Sequence, residues 1–231
     1  MHGTRWASAV LATTIVVGAG ACKKTEPRSE PAASSAAEPD APKAFGSRCV
    51  WLAFKGASPA AVVSALGLHE VAPSPWRAGL AGAYAGRVFV TPPLTDAGWV
   101  LAASTRFPDP GDRKHPDDAT PLLERLSRAL GEVQYFGTDA DVGWQAWARY
   151  VNGAPARKLA YLGADNLVIW ADGTITREEH ELGLAYTKEG LREPPFPSEA
   201  NVFQVAGAWS VDPSTLEARH LPPSVGTLGA L

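Results

Sequence analysis

The sequence predicts an α+β domain with a mainly antiparallel sheet and two to three packed helices, after a signal peptide and a disordered tether. Hydrophobic residues make up 45% of the 231 residues and charged residues only 19%, so most of the chain can form a core. In the main part of the chain, predicted helices are interleaved with hairpins of short strands. The first 45 residues differ from the rest in composition.

The chain begins with an apolar segment typical of a signal peptide. Residues 7–21 (ASAVLATTIVVGAGA) carry no charge and follow the cation of Arg5. This run is shorter than the roughly 20 apolar residues of a bilayer-spanning helix, and it matches a signal-peptide core. It ends in Ala-Gly-Ala before Cys22, which resembles a bacterial lipobox, with Ala at the position that usually holds Leu. The sequence therefore predicts a lipoprotein signal peptide over residues 1–21 and lipidation of Cys22.

Lipidation would attach the chain to a membrane through Cys22, because two or three acyl chains, palmitate among them, anchor a protein where one is marginal. The residue after it, Lys23, is not the Asp that is linked with inner-membrane retention in enterobacteria. We therefore expect a location in a bacterial cell envelope, on the outer membrane, facing the periplasm or the surface. Two alternatives stay open: cleavage by ordinary signal peptidase after Ala21, giving a secreted chain, and an uncleaved anchor.

Residues 22–45 predict a disordered tether. They are rich in Pro, Ala, Ser and Glu and contain almost no large apolar side chain before Phe45. Such a segment buries too little surface to offset the entropy of ordering. The folded part is then predicted as one α+β domain over residues 46–231.

The first half of this domain combines strands and capped helices. Apolar β-formers bounded by turn residues predict the strands, and Ser58-Pro59 supplies an N-cap and a first-turn proline for a helix. A leucine stripe with helical spacing, ending at Gly131, predicts a second helix. The predicted elements are a strand over 49–54, a helix over 60–66, strands over 87–90 and 99–103 in a loose hairpin, and a helix over 121–130.

The second half predicts an antiparallel meander followed by two helices. Asn152-Gly153 marks a tight turn within the meander. A capping-box pattern starts a short helix at Thr176, and Ser198 caps a last helix that runs to Trp209. The four predicted strands cover 133–138, 144–151, 157–162 and 167–170.

A series of motifs runs through this region: GWVLAAS, LLERLSRALGEVQYFGT, a WARYVNG…RKLAYLG hairpin, EEHELG and AWSVDP. In that order they resemble a group of uncharacterised bacterial proteins, over roughly residues 96–216. The resemblance implies one domain with this order of elements. The group has no assigned reaction, so it implies no catalytic residue. Its members often carry a His where this chain has residues 143–145, which lowers the expectation of catalysis there.

The loop from Asp109 to Asp118 is one candidate site, because it gathers carboxylates and a histidine. Calcium binds such oxygen-rich loops, but this spacing matches no cation loop, and Arg113 and Lys114 interrupt it. A solvated surface loop is the favoured interpretation. No His pair has zinc-site spacing, so the sequence predicts neither a metal nor a cofactor. The carboxylates are Asp109, Asp112, Asp117 and Asp118, and the histidine is His115.

The strand with Trp144, Trp147 and Arg149 is the second candidate. The odd separation of the two tryptophans puts them on opposite faces, so one can be exposed beside the cation and bind a glycan or an envelope protein. Core packing of both, with one shielded by a helix, is the favoured interpretation. Cys49 is expected to be buried and unreactive, with a Cys22–Cys49 disulfide possible if Cys22 is not acylated.

These observations favour a binding domain over an enzyme. The sequence contains no nucleophile elbow, phosphate-binding loop or dinucleotide fingerprint. Its net charge of −3 argues against a nucleic-acid partner. The predicted function is a lipid-anchored cell-envelope lipoprotein with a non-catalytic binding or interaction domain. The alternatives are an envelope hydrolase that uses carboxylates of residues 109–118 and a toxin-immunity protein.

Overall fold

The structure, a computed structural model, describes residues 37–94 and 97–231. The predicted signal peptide, Cys22 and residues 22–36 of the predicted tether lie outside the described part. Within it, no helix is long and apolar enough to cross a membrane.

A nine-stranded sheet forms the centre of the domain. The strands are β1 (Cys49–Lys55), β2 (His69–Pro75), β3 (Val88–Val90), β4 (Trp99–Ser104), β5 (Glu132–Asp139), β6 (Trp144–Val151), β7 (Ala154–Leu162), β8 (Leu167–Gly173) and β9 (Val225–Ala230). Their order across the sheet is β2-β9-β3-β4-β1-β5-β6-β7-β8, and all neighbouring strands are antiparallel. The predicted α+β class with a mainly antiparallel sheet is confirmed, as are the β3–β4 hairpin and the β5–β8 meander.

Helices cover both faces of the sheet. The α-helices are α1 (Pro59–Leu66), α2 (Trp76–Tyr84), α3 (Ala119–Leu130), α4 (Arg177–Glu181) and α5 (Glu199–Trp209). α1 and α3 pack on one face, and α2 and α5 pack on the other. The two central strands β1 and β4 are therefore buried on both sides, with Lys55 the only exposed residue of the pair. This explains why they read as continuous apolar runs rather than as alternating strands.

Local capping signals place three of the helices. Ser58 accepts a hydrogen bond from the backbone N–H of Ala61 at the start of α1. Thr176 and Ser198 form capping boxes at the starts of α4 and α5. These side chains satisfy backbone N–H groups that have no partner inside the helix, so the sequence marks the helix starts correctly.

The sequence does not predict α2, because glycines inside a helix argue against it. Here the glycines are required by close packing on the sheet. A Cβ atom added at Gly79 would lie 2.1 Å from the ring of Phe89 on β3, and one at Gly82 would lie 2.7 Å from Leu228 on β9. The described residues hold five α-helices, more than the two to three packed helices of the predicted fold class, and α2 is the one for which the sequence predicts no helical segment.

The sequence also misses β2 and β9, which form one side of the sheet. β9 lies between β2 and β3, so the last strand of the chain pairs with elements more than a hundred residues earlier. β2 is an edge strand that carries Pro73 and Pro75 and is mostly exposed. Prolines are tolerated at an edge because that strand needs fewer backbone donors. Neither strand shows the alternation of apolar and polar residues by which a half-buried strand is predicted from a sequence.

The folded domain begins earlier than residue 46, where the sequence predicts its start. Asp40 accepts hydrogen bonds from the backbone N–H groups of Trp76 and Arg77, the latter at 3.0 Å, and so caps α2. Its own carbonyl accepts from Ser224 N at 2.9 Å, beside β9. Phe45 is buried in the core of the α2/α5 face. The correction has a physical reason: long-range hydrogen bonds order these residues, and composition does not reveal them.

Residues 40–47, called the strap from here on, cross the α2/α5 face of the sheet. The ring of Phe45 makes an edge contact with Trp51. Gly46 N donates to the Tyr84 hydroxyl at 3.3 Å, and that hydroxyl donates to the carbonyl of Ser47 at 3.0 Å. Ion pairing of Lys43 with Glu217, at 3.6 Å, adds a contact on the other side. The strap thus runs between α2 and the segment after α5, and leads directly into β1.

We expect Asp40→Ala to lower the free energy of unfolding by about 1 kcal/mol, the typical cost of losing an N-cap. The loss follows because α2 has no side-chain cap of its own at Pro75. Urea unfolding of residues 22–231, followed by circular dichroism, measures the change. Glu38→Ala is the control, because Glu38 is exposed and two residues away. Equal stability of the two variants would contradict the role of Asp40.

Candidate functional site

A cleft of about 320 Å³ lies at one end of the central strands. It forms where β1 and β6 begin and where β4 and β5 end, since antiparallel neighbours bring these ends together. One wall is apolar and consists of Val50, Phe107, Val142, Trp144, Leu162 and Ile169. The rim is polar and includes Arg48, Asp109, Asp112, His115, Thr138 and Asp139. An apolar wall with a few polar groups is the usual composition of a small-ligand site.

The predicted surface loop of residues 109–118 forms one side of this cleft. Asp109 accepts a hydrogen bond from Gly111 N at 2.7 Å, and the loop closes with Asp112 N donating to the His115 carbonyl at 3.2 Å. Gly111 has a φ of +74°, and a Cβ atom there would lie 2.3 Å from the Pro116 carbonyl oxygen. The loop therefore needs glycine at this position in order to place its carboxylates at the cleft.

Asp112 is the most strongly stabilised carboxylate of the loop. Its Oδ1 accepts hydrogen bonds from Lys114 N at 2.6 Å, His115 N at 2.8 Å and His115 Nδ1 at 3.0 Å. The Lys114 backbone N–H, followed by the His115 ring and backbone, lowers the pKa of Asp112 to about 2. Asp112 is consequently ionised throughout the neutral range, so it can attract a cation and has no proton to donate.

Asp117 has a structural role instead. Its two oxygens accept hydrogen bonds from Thr120 N at 2.9 Å, Thr120 Oγ1 at 2.7 Å and Trp170 Nε1 at 2.7 Å. These bonds cap the start of α3 and fasten it to β8. Asp118 is exposed and does not line the cleft. Only two of the four carboxylates singled out in the sequence therefore reach the cleft.

The opposite rim is built by the start of β1 and the β5–β6 turn. Arg48 forms an ion pair of 2.6 Å with Asp141, and both side chains are about two-thirds exposed. Asp139 accepts a hydrogen bond from Asp141 N at 3.0 Å. Because Asp141 balances Arg48, the charges of Asp109, Asp112 and Asp139 leave the rim negative at neutral pH.

The structure separates the three residues of the second candidate site. Trp144 is half-buried, lies on the α1/α3 face and lines the cleft. Trp147 is fully buried on the other face, where its Nε1 donates to Glu179 at 2.9 Å. Arg149 is bound in an ion pair of 3.0 Å with Glu132. Opposite faces for the two tryptophans are confirmed, whereas a joint ligand surface with Arg149 does not form.

Cys49 lines the inner part of the cleft as a buried thiol. It is 3% exposed, and burial raises the pKa of its thiol to about 12, outweighing a hydrogen bond to the backbone of Ser104. A thiol with this pKa is almost entirely protonated near neutrality, so it is a poor nucleophile. This agrees with the expectation from its apolar strand.

A pair of opposite charges, Arg157 and Glu179, is buried beneath α4, away from the cleft. Arg157 Nε lies 2.9 Å and 3.1 Å from the two oxygens of Glu179, and these side chains are 2% and 0% exposed. Arg157 Nη2 donates to the Tyr186 carbonyl, and Trp147 Nε1 and Thr176 N donate to Glu179. Every contact is internal to the domain. The pair therefore serves to hold the segment after β8 on the sheet rather than to react with a substrate.

Within residues 37–94 and 97–231, no three His, Cys, Asp or Glu side chains converge to hold a metal ion. Comparison with protein-family models, curated proteins and solved structures finds no match for the chain. The resemblance to a group of bacterial proteins stays a prediction. The cleft is thus characterised by its own residues alone.

Most of the cleft residues could not be found in the sequence. They come from four separate segments, 48–50, 105–115, 138–144 and 162–169, and only the strand pairing brings these together. Arg48, Asp139 and the apolar wall residue Ile169 carry no local motif. The usable signals are the density of carboxylates in the 109–118 loop and the residue spacing that allows either Trp144 or Trp147 to be exposed.

We expect Glu179→Gln to lower the free energy of unfolding by about 3–5 kcal/mol, because it leaves Arg157 buried without a counter-charge. Urea unfolding measures the loss. Arg177→Ala is the matched control. It breaks the exposed Arg177–Glu181 pair and should cost under about 1 kcal/mol. A cost for Glu179→Gln no larger than that of the control would show that the buried pair does not hold the segment.

Proposed function

We propose that the chain is a cell-envelope lipoprotein, acylated at Cys22, whose α+β domain binds a ligand at the cleft without catalysing a reaction. The apolar run of residues 7–21 and the small residues before Cys22 support the lipid anchor. Lys23 supports an outer-membrane location, facing the periplasm or the cell surface. These features concern residues outside the described part, so the anchor rests on the sequence.

The cleft is the observation that carries the proposal of binding. Its volume of about 320 Å³ is at the lower end of the range of small-ligand pockets. Trp144 offers a half-buried aromatic surface, and Ile169 and Leu162 extend it. An aromatic wall of this kind contacts the apolar part of a ligand, such as an alkyl chain or a sugar face.

The negative charge of the cleft rim indicates the chemistry of the polar part of the ligand. Three carboxylates, Asp109, Asp112 and Asp139, line the cleft, and its one arginine is paired with Asp141. An ammonium or guanidinium group is therefore the complementary chemistry. Such a group is carried by basic peptides of envelope proteins and by amino sugars of glycans, which are the two partner classes that the sequence favoured.

Binding is favoured over hydrolysis by the state of the carboxylates. A general acid needs a pKa near the working pH, whereas that of Asp112 is lowered to about 2. Asp117 is occupied by three hydrogen bonds at the start of α3. Cys49 is protonated, which argues against a nucleophilic thiol. Of the carboxylates of this loop, Asp112 is therefore unsuited as a general acid, and Asp117 is not free to act as its partner.

Calorimetric titration of residues 22–231 tests the binding site. The probes are trilysine and the glucosamine trimer, each compared with its fully N-acetylated form, which has lost the amine charges. We expect one amine probe to bind more tightly than its acetylated form. Asp139→Asn should weaken that binding about tenfold or more, since a charge-assisted contact is worth about 1.5–3 kcal/mol. Trp144→Ala should also weaken it, because the variant removes the aromatic surface of the apolar wall.

Asp172→Asn is the matched control for the binding test. Asp172, like Asp139, is a surface carboxylate that accepts one backbone N–H, but it lies outside the cleft. It should leave affinity unchanged. Absence of binding by both amine probes, or equal binding of acetylated forms, would contradict a cation site. The two probes also decide between a peptide and a glycan source.

Intact mass of the chain isolated from membranes tests the anchor. We expect a mature chain that starts at Cys22 and carries the mass of a diacylglycerol and an acyl group. Cys22→Ser should lose both this mass and membrane association. A soluble product starting at Cys22, with both thiols oxidised, would instead indicate a secreted chain with a Cys22–Cys49 disulfide.

A further inference from the structure

The two edges of the sheet differ in whether they can accept another strand. β2, at one edge, contains Pro73 and Pro75, which lack the backbone N–H that a neighbouring strand needs, and its register shifts between His69 and Ala72. β8, at the other edge, contains neither proline nor lysine, the residues that commonly protect an exposed edge. Among the described residues, β7 is the only strand that pairs with it. The outer side of β8 is therefore the open edge of the sheet.

The hydrogen-bond pattern of β7 and β8 shows which backbone groups face this open edge. Thr174 N, just after β8, donates to the Ala156 carbonyl at 3.1 Å, so these two residues form a hydrogen-bonded pair. Along an antiparallel ladder, such pairs alternate with pairs that are not hydrogen-bonded. Ala171 pairs with Leu159 three positions further along, so it belongs to a pair that is not hydrogen-bonded. The N–H and C=O of Ala171 consequently point away from β7, towards the open edge.

The open edge adjoins the cleft. The register shifts by one residue where β7 passes from Ala160 to Tyr161, which leaves Ile169 on β8 without a partner. Such a bulge lets two consecutive residues share a face, and here Ile169 and Trp170 both pack on the α1/α3 face. Ile169 lines the cleft, as does Leu162 at the end of β7. A strand added along β8 would therefore lie beside the cleft, with every second side chain on the cleft face.

The negative charge of the cleft rim decides which molecule fits this edge. Asp109, Asp112 and Asp139 call for a cation. A second copy of this chain, paired through its own β8, would bring none, because residues 163–176 contain two aspartates and no Lys, Arg or His. An amino sugar brings the cation but has no peptide backbone to pair with a strand. An extended peptide with basic side chains supplies both.

We propose that the ligand of the cleft is an extended basic peptide that adds to the sheet along β8, with a basic side chain directed to the carboxylates of the cleft. This inference rests on the proposed cation site and narrows its two partner classes to one. The seven residues of β8 pair with about 23 Å of extended chain, at about 3.3 Å per residue. Trilysine, at about 10 Å, covers less than half of that length, so it tests the cation site without testing strand addition.

Selective N-methylation of a peptide tests strand addition. The probe is an acetylated and amidated hexapeptide of alternating lysine and valine, titrated calorimetrically into residues 22–231. One derivative is methylated at the lysine amides and another at the valine amides, and both keep every side chain and charge. Because successive N–H groups of a strand point to opposite sides, only one of the two derivatives loses its hydrogen bonds with β8.

We expect one derivative to bind about tenfold or more weakly than the unmethylated hexapeptide, and the other to keep its affinity within about twofold. Ala171→Pro removes the outward N–H and should weaken hexapeptide binding about fivefold or more. It should leave trilysine affinity unchanged, because Ala171 lies outside the cleft. Ala171→Ser keeps the N–H and is the matched control. If Ala171→Pro does not fold, the two methylated derivatives decide the question with the native chain.

Three results would overturn strand addition by a peptide and leave the cation site in place. The first is trilysine binding that requires Asp139, together with equal affinities of the two methylated derivatives. The second is binding of the glucosamine trimer alone, which would identify the ligand as a glycan. The third is a dimer in sedimentation that Ala171→Pro dissociates, which would place a second copy at the open edge. Absence of binding by every amine probe would instead overturn the cation site itself, and this inference with it.

Discussion

The buried ion pair of Arg157 and Glu179 fixes how the last third of the chain lies on the sheet. Glu179 sits in the first turn of α4 and reaches into the core, where it also accepts from Trp147 on β6. Thr176 joins the network to α5 by accepting from Trp209 Nε1 at 3.1 Å. A pair without solvent stabilises only when each charge has its partners. Here those partners come from β6, β7, α4 and the segment after it, so this contact fastens α4 and that segment to the α2/α5 face of the sheet.

Coverage of both sheet faces determines where a ligand site can form. Helices occupy both faces, and the central strands β1 and β4 bury nearly every side chain. Polar groups that a ligand can reach then gather where strands end and loops begin, since a loop residue keeps access to water. The cleft is at such an end, with an apolar wall continuous with the core around Val50 and Phe107. The combination of an apolar wall and a polar rim thus follows from the helices that cover both faces of the sheet.

The sequence predicts the elements that carry local signals and misses those defined by distant contacts. Some signals depend only on residues close in sequence, and the structure confirms them. They are the turns of the meander and the helix caps at Ser58, Thr176 and Ser198. The glycines of α2 disfavour a helix, and the prolines of β2 disfavour a strand. Both elements form nevertheless, because packing on β3 and pairing with β9 outweigh these intrinsic propensities. The cleft is equally hard to predict from the sequence, because contacts between distant segments determine which residues are exposed there. Residue parity places Trp144 and Trp147 on opposite faces, but which one is covered depends on where α4 lies, 30 residues later.

The strap joins the Asp40 corner of the sheet to the rim of the cleft within one segment of chain. It begins at Asp40, at the end of the sheet near β9, crosses the α2/α5 face, and ends next to Arg48 on the rim of the cleft. Contacts with Tyr84, Pro213 and Glu217 hold it along this path. Because the strap is packed against the domain, a pull on the chain at Asp40 must break these contacts before it reaches β1. In the proposed lipoprotein, a pull from the anchor would therefore act on the contacts of the strap before it acted on the cleft.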